Sequence, residues 1–296
     1  MNPRTNVHIL FILIVMLFVF SGLFLPPFLT QSFLFDVFFS QLILLGMPIL
    51  LYWWLTPPSS LPILPFALPD FIDVLFIIFL TIPLVFVGSF LNAAIIFLLS
   101  IFAGPISQPI YLFDPGQPLV IYLIGMALLP AVLEEIISRG LLLGSYLKQG
   151  NRLAIWVSAL LFSLLHLNLV NVPNTLMLGI FFAWLVLYTH SLLSAMLAHF
   201  VYNTVVLVLQ TMPGLPPQTE SISITLSELG LMVPSVVLYG LLFLGFFSLY
   251  KKKHPPVPLE SRNQAFARFL QLLKTEKTLN LALLLPLVLT LYLTLV

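Results

Sequence analysis

Long uninterrupted runs of apolar side chains are the feature that most limits how this chain can fold. Of its 296 residues, 60% are hydrophobic and only 7% are charged, whereas soluble domains carry about 25% charged residues. Inside a bilayer only α-helices and closed β-barrels satisfy every backbone hydrogen bond. The runs are continuous rather than alternating, which is typical of helices and not of barrel strands. We therefore predict an all-α polytopic membrane protein.

The runs predict a bundle of about eight transmembrane helices. Proline-rich connectors and polar loops separate them, and a last apolar run at the C-terminus could be a ninth span. The predicted spans are 8–25, 33–55, 71–102, 118–147, 153–169, 175–188, 191–209 and 229–250, with 279–296 as the ninth. A polar segment at 263–274 is predicted to form a short surface helix.

The basic residues predict the orientation of the bundle. If the N-terminus is cytoplasmic and the spans alternate, ten of the eleven Lys and Arg residues fall on the cytoplasmic side. This satisfies the positive-inside rule. The remaining one is Arg139, which lies within the fourth span. We expect a multi-pass protein of the bacterial plasma membrane with its N-terminus in the cytoplasm.

The fourth span contains Glu134, Glu135 and Arg139 in an otherwise apolar stretch. Ionisable residues inside a membrane are expensive to bury and indicate a functional site by default. Glu135 and Arg139 are spaced i, i+4, so they share a helix face and can form an ion pair. That pair is as compatible with a structural role as with a functional one. Glu134 points about 100° away and is free for another task.

Three further polar residues are predicted at a similar depth in the membrane. At about 1.5 Å per residue, Glu134 and His166 both lie about 21 Å from the cytoplasmic ends of their spans. His199 and Asn203, one turn apart on the seventh span, fall close to the same layer. A Glu, two His and an Asn from three helices thus approach one layer, which favours a functional site over a chance occurrence.

These residues resemble the motifs of the CAAX prenyl endopeptidase and bacteriocin-processing family, called CPBP or ABI. The three motifs, in order, correspond to Glu134-Glu135-x-x-x-Arg139, Phe162-x-x-x-His166 and His199-x-x-x-Asn203. The resemblance covers about 120–209. It implies an intramembrane endopeptidase with its site in an internal cavity.

The resemblance also implies roles for these residues. Glu134 would be the general base that activates water, aided by His166. His199 and Asn203 would stabilise the oxyanion, and Glu135 and Arg139 would support the site.

On this basis the chain is divided into four parts. Residues 1–117 form N-terminal transmembrane helices and connectors, and 118–209 form the catalytic core helices. Residues 210–250 form an outer loop and the eighth helix. Residues 251–296 form a basic cytoplasmic segment and the C-terminal hydrophobic helix.

The metal requirement is open at the level of sequence. Glu134, His166 and His199 could ligate zinc, because two His, one Glu and a water are a known catalytic set. The family has been described both as metalloproteases and as metal-independent glutamate proteases. The HExxH zinc signature is absent, and we favour the mechanism without metal.

The expected partners are membrane lipids and a membrane-associated peptide or protein substrate, prenylated or not, cleaved near the cytoplasmic face. No long basic tract suits nucleic acid, and the absence of Cys excludes disulfides and a Cys nucleophile. Two alternatives stay open. One is a non-catalytic scaffold or bacteriocin-immunity protein of the same family, and the other is a proton-coupled transporter with Glu134 as its titrating group.

Overall fold

The computed structural model describes residues 3–25, 33–57, 64–107, 117–211 and 221–295, which form ten helices. We number the helices α1 to α10, and two of them are composite. They are α1 (Pro3–Phe24), α2 (Phe33–Phe38, Phe39–Gly46 and Met47–Leu55), α3 (Phe71–Ala103), α4 (Leu119–Gln149), α5 (Asn151–Leu165), α6 (Val172–Thr189), α7 (Leu192–Gln210), α8 (Leu226–Lys253), α9 (Arg262–Thr275) and α10 (Lys277–Leu295).

The prediction of an all-α membrane bundle is confirmed. Eight of the described helices are long and apolar enough to cross a bilayer, and α10, the candidate ninth span, is one of them. The described residues also contain one small strand pair, in which β1 (Ile106–Ser107) runs antiparallel to β2 (Ser221–Ile222). This pair joins the segment after α3 to the segment before α8.

The fifth predicted span, 153–169, is too long. Helix α5 has 15 residues and ends at Leu165, so His166 is its C-cap residue and not an interior one. Leu167 follows with a φ of 50°, a left-handed backbone conformation that cannot continue the helix. Most side chains of α5 are buried against other helices, so α5 lies inside the bundle and need not span it alone.

Three π-helical turns interrupt the composite helices, and sequence periodicity did not predict them. One is Phe39–Gly46 in α2, and the others, Leu123–Leu128 and Ile136–Leu143, flank the two glutamates of α4. π-turns are rare and occur frequently at functional sites. Here they set the rotation of the α4 segment that carries Glu134 and Glu135.

The basic segment after α8 folds back onto the bundle. The side chain of Ser261 caps the start of α9. The carboxylate of Glu260 caps the start of α5, because its two oxygens accept hydrogen bonds from the backbone N–H groups of Arg152 at 3.0 Å and Leu153 at 2.9 Å. The first N–H groups of a helix lack partners within the helix, so an added carboxylate stabilises them. The tail therefore fixes the start of α5, the helix that ends at His166.

The pKa of Glu260 reflects this contact. Burial of the carboxyl acts to raise its pKa, but the backbone hydrogen bonds and the charge of Arg268 outweigh burial, so the pKa lies below its usual value. A depressed folded-state pKa means that the stabilisation is present at neutral pH. It is lost as the pH falls through the folded-state pKa.

We predict that Glu260→Gln lowers the unfolding free energy by about 1–3 kcal/mol at neutral pH, because one N–H of the amide then faces a backbone N–H. Thermal unfolding in detergent, measured from pH 7 down to pH 3, should show the variant and wild-type curves converging in acid. A difference that stays constant with pH would contradict the capping role. Ser261→Ala, which weakens the cap of α9 only, is the control.

Candidate functional site

Glu134 and Glu135 lie at the end of the α-helical turn Leu129–Glu135, directly before the π-turn Ile136–Leu143. Their side chains enter different environments. Glu135 is fully buried in the protein core, whereas Glu134 borders a cavity and its side chain is 12% exposed. The sequence-based separation of the two carboxylates is thus present in the structure.

One carboxylate oxygen of Glu135 contacts two side chains. Its Oε1 accepts a hydrogen bond from Arg139 Nη1 at 2.9 Å and lies 2.9 Å from Nδ1 of His199 on α7. None of the three side chains is more than 6% exposed. A carboxylate only accepts hydrogen bonds, so Nδ1 of His199 carries the proton. We call this group the buried ion cluster.

Aromatic rings enclose the buried ion cluster. The guanidinium carbon of Arg139 lies 4.2 Å from the ring centre of Phe162, within the range of a cation–π contact. The ring of His199 stacks on Phe182 at 5.3 Å and meets Phe162 edge-on at 6.0 Å. These contacts exclude water, which strengthens the electrostatic attraction within the cluster.

Gly179 allows α6 to complete the buried ion cluster. Its carbonyl accepts a hydrogen bond from Arg139 Nη2 at 3.0 Å. A Cβ at this position would lie 2.9 Å from both Cα and Cβ of Ala159 on α5. Only glycine therefore brings α6 close enough to α5 for its backbone to reach the guanidinium. Sequence reasoning missed this residue, since a lone glycine in an apolar helix carries no signal of its own.

Glu134 meets His166 at the wall of a cavity of about 540 Å³. Oε2 of Glu134 lies 3.8 Å from Nε2 of His166, and it is buried without a hydrogen-bond partner. Nδ1 of His166 lies 3.0 Å from the carbonyl oxygen of Phe162. A carbonyl only accepts, so Nδ1 donates, and in the neutral ring Nε2 is an acceptor that faces the carboxylate.

The structure separates five of the six predicted residues into two groups and places Asn203 in neither. Glu134 and His166 share the cavity, whereas His199 bonds to Glu135 and belongs to the buried ion cluster with Arg139. Asn203 lies half-buried one turn beyond His199, and none of the described hydrogen bonds joins it to the other five. Neither His199 nor Asn203 lines the described wall of the cavity.

A three-ligand zinc set does not form in this arrangement. Nδ1 of His199 is directed at Glu135 rather than toward Glu134 and His166. Within the described parts of the chain, no group of three His, Asp or Glu side chains is arranged to hold an ion. A metalloprotease, one of the two mechanisms that the sequence left open, is therefore not supported by the donor set, and we derive no step through a metal.

Helices outside the motif region complete the cavity, and sequence reasoning did not single out their polar residues. Asp36, Ser40 and Gln41 of α2 face the same space as Glu134, together with the ends of α1 and α10. Oε1 of Gln41 is buried without a partner. Asp36 could have been found, because it is a lone carboxylate within an apolar run.

Comparison with known families gives a match for the segment that carries the Glu134–His166 pair and the buried ion cluster. Residues 116–205 match the family described as type II CAAX prenyl endopeptidase Rce1-like. This segment is an Rce1-like domain. The predicted resemblance to the CAAX and CPBP intramembrane proteases is thereby confirmed at the level of the family. No curated protein and no solved structure matches the chain.

The Rce1-like match includes all six polar residues and α4 to α7 up to residue 205. It excludes α1, α2 and α10, which form the opposite wall of the cavity. The chain thus combines helices of a membrane protease family with helices outside the family match around one cavity.

We predict that Glu135→Leu destabilises the protein by about 3–5 kcal/mol, because it leaves the Arg139 cation buried without its partner. The double variant Glu135→Leu/Arg139→Met should recover a large part of this loss. Thermal unfolding in detergent measures both. A double variant less stable than the single one would show that the guanidinium does not depend on Glu135.

We predict that Gly179→Ala destabilises the protein by about 1–3 kcal/mol through overpacking against the α5 backbone. It should also weaken any activity, since it moves the carbonyl that holds Arg139. Gly245→Ala on α8 is the matched control, because no atom lies within 4 Å of a Cβ there. Its unfolding temperature should be unchanged or slightly raised. Equal effects of the two substitutions would refute the close-packing role.

Proposed function

We propose that this protein is an intramembrane endopeptidase that hydrolyses a peptide bond in a membrane-associated or prenylated-type substrate. The observation that carries the proposal is the pairing of Glu134 with His166 at the wall of a cavity, inside an Rce1-like domain. A base of this kind must lie within reach of the proton that it takes, directly or through one water.

Two acceptors that face each other favour a bound water. With His166 neutral, its Nε2 and the Glu134 carboxylate both lack a proton at the contact, and their 3.8 Å separation is too long for a direct hydrogen bond. A water molecule has two O–H donors and can satisfy both acceptors at once. The geometry therefore suits a water that is oriented for attack.

In the proposed reaction, Glu134 removes a proton from this water as its oxygen adds to the substrate carbonyl carbon. The same carboxyl then gives the proton to the leaving nitrogen as the C–N bond breaks. The immediate products are a carboxylic acid and an amine, which then exchange a proton to become a carboxylate and an ammonium, so atoms and protons balance. His166 keeps the water in position, because its Nε2 accepts a hydrogen bond from the second O–H group of the water.

The proposal gives His199 and Asn203 the role of stabilising the oxyanion. Because Nδ1 of His199 is held by Glu135, only Nε2 is free to act on substrate. Nε2 donates a hydrogen bond when the ring carries both protons. Asn203 lies one turn away on α7 and would supply a second donor, as oxyanion sites require.

The mechanism that we propose works without a required metal. The carboxylate and the imidazole act directly on water, and the second histidine is committed to Glu135. Apolar residues of α1, α2 and α10, among them Phe18, Leu44 and Leu293, line part of the cavity wall, where they can contact a lipid-modified or apolar segment of the substrate.

We predict that Glu134→Gln reduces cleavage by at least about 100-fold, because the amide cannot take a proton from water. His166→Ala should reduce it by a similar or smaller factor. Glu228→Gln, a change of an exposed carboxylate on α8, is the matched control and should retain full activity. Purified protein with a fluorogenic peptide library, with and without chelator, gives the measurement.

The same experiment separates the other interpretations. Full cleavage by a folded and inserted Glu134→Gln protein would refute the proposed mechanism. If both site variants also support a deletion strain normally, the protein acts as a scaffold or immunity protein. Loss of cleavage on chelation, restored by zinc alone, would refute the metal-independent mechanism.

A further inference from the structure

The basic residues of the chain gather at one end of the bundle. Of eleven Lys and Arg residues, all but Arg139 lie in segments that meet there. Arg4 at the start of α1 pairs with Glu276 before α10 at 2.8 Å, and Arg152 at the start of α5 donates to the Glu260 carbonyl at 2.9 Å. We call this end the basic end.

The cavity with Glu134 lies toward the opposite end. Helices α1, α5 and α10 all start at the basic end, and the cavity wall includes only residues at or just beyond their far parts. These are five residues between Phe18 and Leu23, the three residues from Leu165 to Leu167, and Leu293. At about 1.5 Å per residue, Leu293 lies about 24 Å from the start of α10. The backbone N–H of Leu169 donates to Thr294 Oγ1 at 3.1 Å, so the far ends of α5 and α10 meet.

Exposed residues mark the mouth of the cavity at this far end. Leu23, close to the end of α1, is 68% exposed, and Gly22 and Asp36 beside it are exposed as well. The first residues of α2, which include Asp36, follow the end of α1 in sequence and so belong to the same end. Access from the far end passes these residues before it reaches Glu134.

We infer that the site takes its peptide from the extracytoplasmic face of the membrane. Basic segments next to transmembrane helices stay in the cytoplasm, so the basic end is the cytoplasmic one and the mouth of the cavity faces the other side. This inference rests on the proposed function for its substrate class. The substrate is then an exported or outer-leaflet peptide segment, and not one near the cytoplasmic face as the sequence led us to expect.

Cysteine accessibility tests the direction without any substrate. The chain contains no Cys, so Leu23→Cys and Arg262→Cys each introduce a unique thiol, at the mouth and at the basic end. We expect a membrane-impermeant maleimide to label Leu23→Cys in intact cells. It should label Arg262→Cys only after permeabilisation.

Both thiols should react in detergent, which controls for reactivity. Labelling of Arg262→Cys from outside, or failure of Leu23→Cys to react in intact cells although it reacts in detergent, would overturn the inference. Neither outcome depends on cleavage. A failure here is therefore distinct from failure of the proposed peptidase activity.

A second inference concerns substrate charge and rests on the lining of the cavity. Its described lining residues include the carboxylates of Asp36 and Glu134 but no Lys or Arg. A peptide that enters the cavity contacts these two acidic side chains, and each of them attracts a positively charged residue of the peptide. Gln41 Oε1, buried and unpaired, is an acceptor that a peptide N–H can satisfy. We propose that Asp36 selects substrates with a basic residue near the scissile bond.

Paired peptides that differ only in Lys or Glu near the cleaved bond test this selection. Wild type should prefer the Lys peptide through KM, and Asp36→Asn should reduce the preference by about tenfold, as expected for one lost charge pair. Ser40→Ala, a neutral change in the same wall, is the matched control and should keep the preference. An unchanged preference in Asp36→Asn, or none in wild type, would overturn the role of Asp36.

Discussion

The contact of one Glu135 oxygen with both Arg139 and His199 is the interaction on which the arrangement of the site depends. A charge buried away from water is tolerated only when it is paired and hydrogen-bonded. Here the partners come from α4 itself, from α7 and, through the Gly179 carbonyl, from α6. Phe162 of α5 closes the group. Four helices are thereby fixed in rotation and depth, and Glu134 and His166 are positioned as a consequence.

Two different parts of the chain form the wall of the cavity. Residues 116–205, the Rce1-like domain, contribute Glu134 and His166 to its wall. Helices α1, α2 and α10 contribute most of the remaining surface, on which polar side chains such as Asp36 and Gln41 lie among apolar ones. Under the proposed function, the catalytic residues would depend on the buried ion cluster, whereas substrate recognition would depend largely on helices outside the family match.

Much of this organisation was predictable from the sequence, and the parts that were not share a cause. Apolar run length predicted the long helices, and i, i+4 spacing predicted the Glu135–Arg139 pair that the structure shows. The end of α5 at Leu165 was not foreseen, because hydropathy continues beyond it while the backbone at Leu167 turns left-handed. The partner of His199 was not foreseen either. Depth can be counted along a helix, but the direction of a side chain depends on π-turns and neighbouring helices.

The sequence by itself determined that the chain is a helical membrane bundle with ionisable residues at mid-depth. Backbone hydrogen bonds must be satisfied within the lipid, and the continuous apolar runs are typical of helices rather than of barrel strands. Only the tertiary structure decided that His199 joins Glu135 while His166 joins Glu134, and that the cavity lies opposite the basic end. The physical reason is that helix rotation and tilt are set by packing between helices, which hydropathy does not encode.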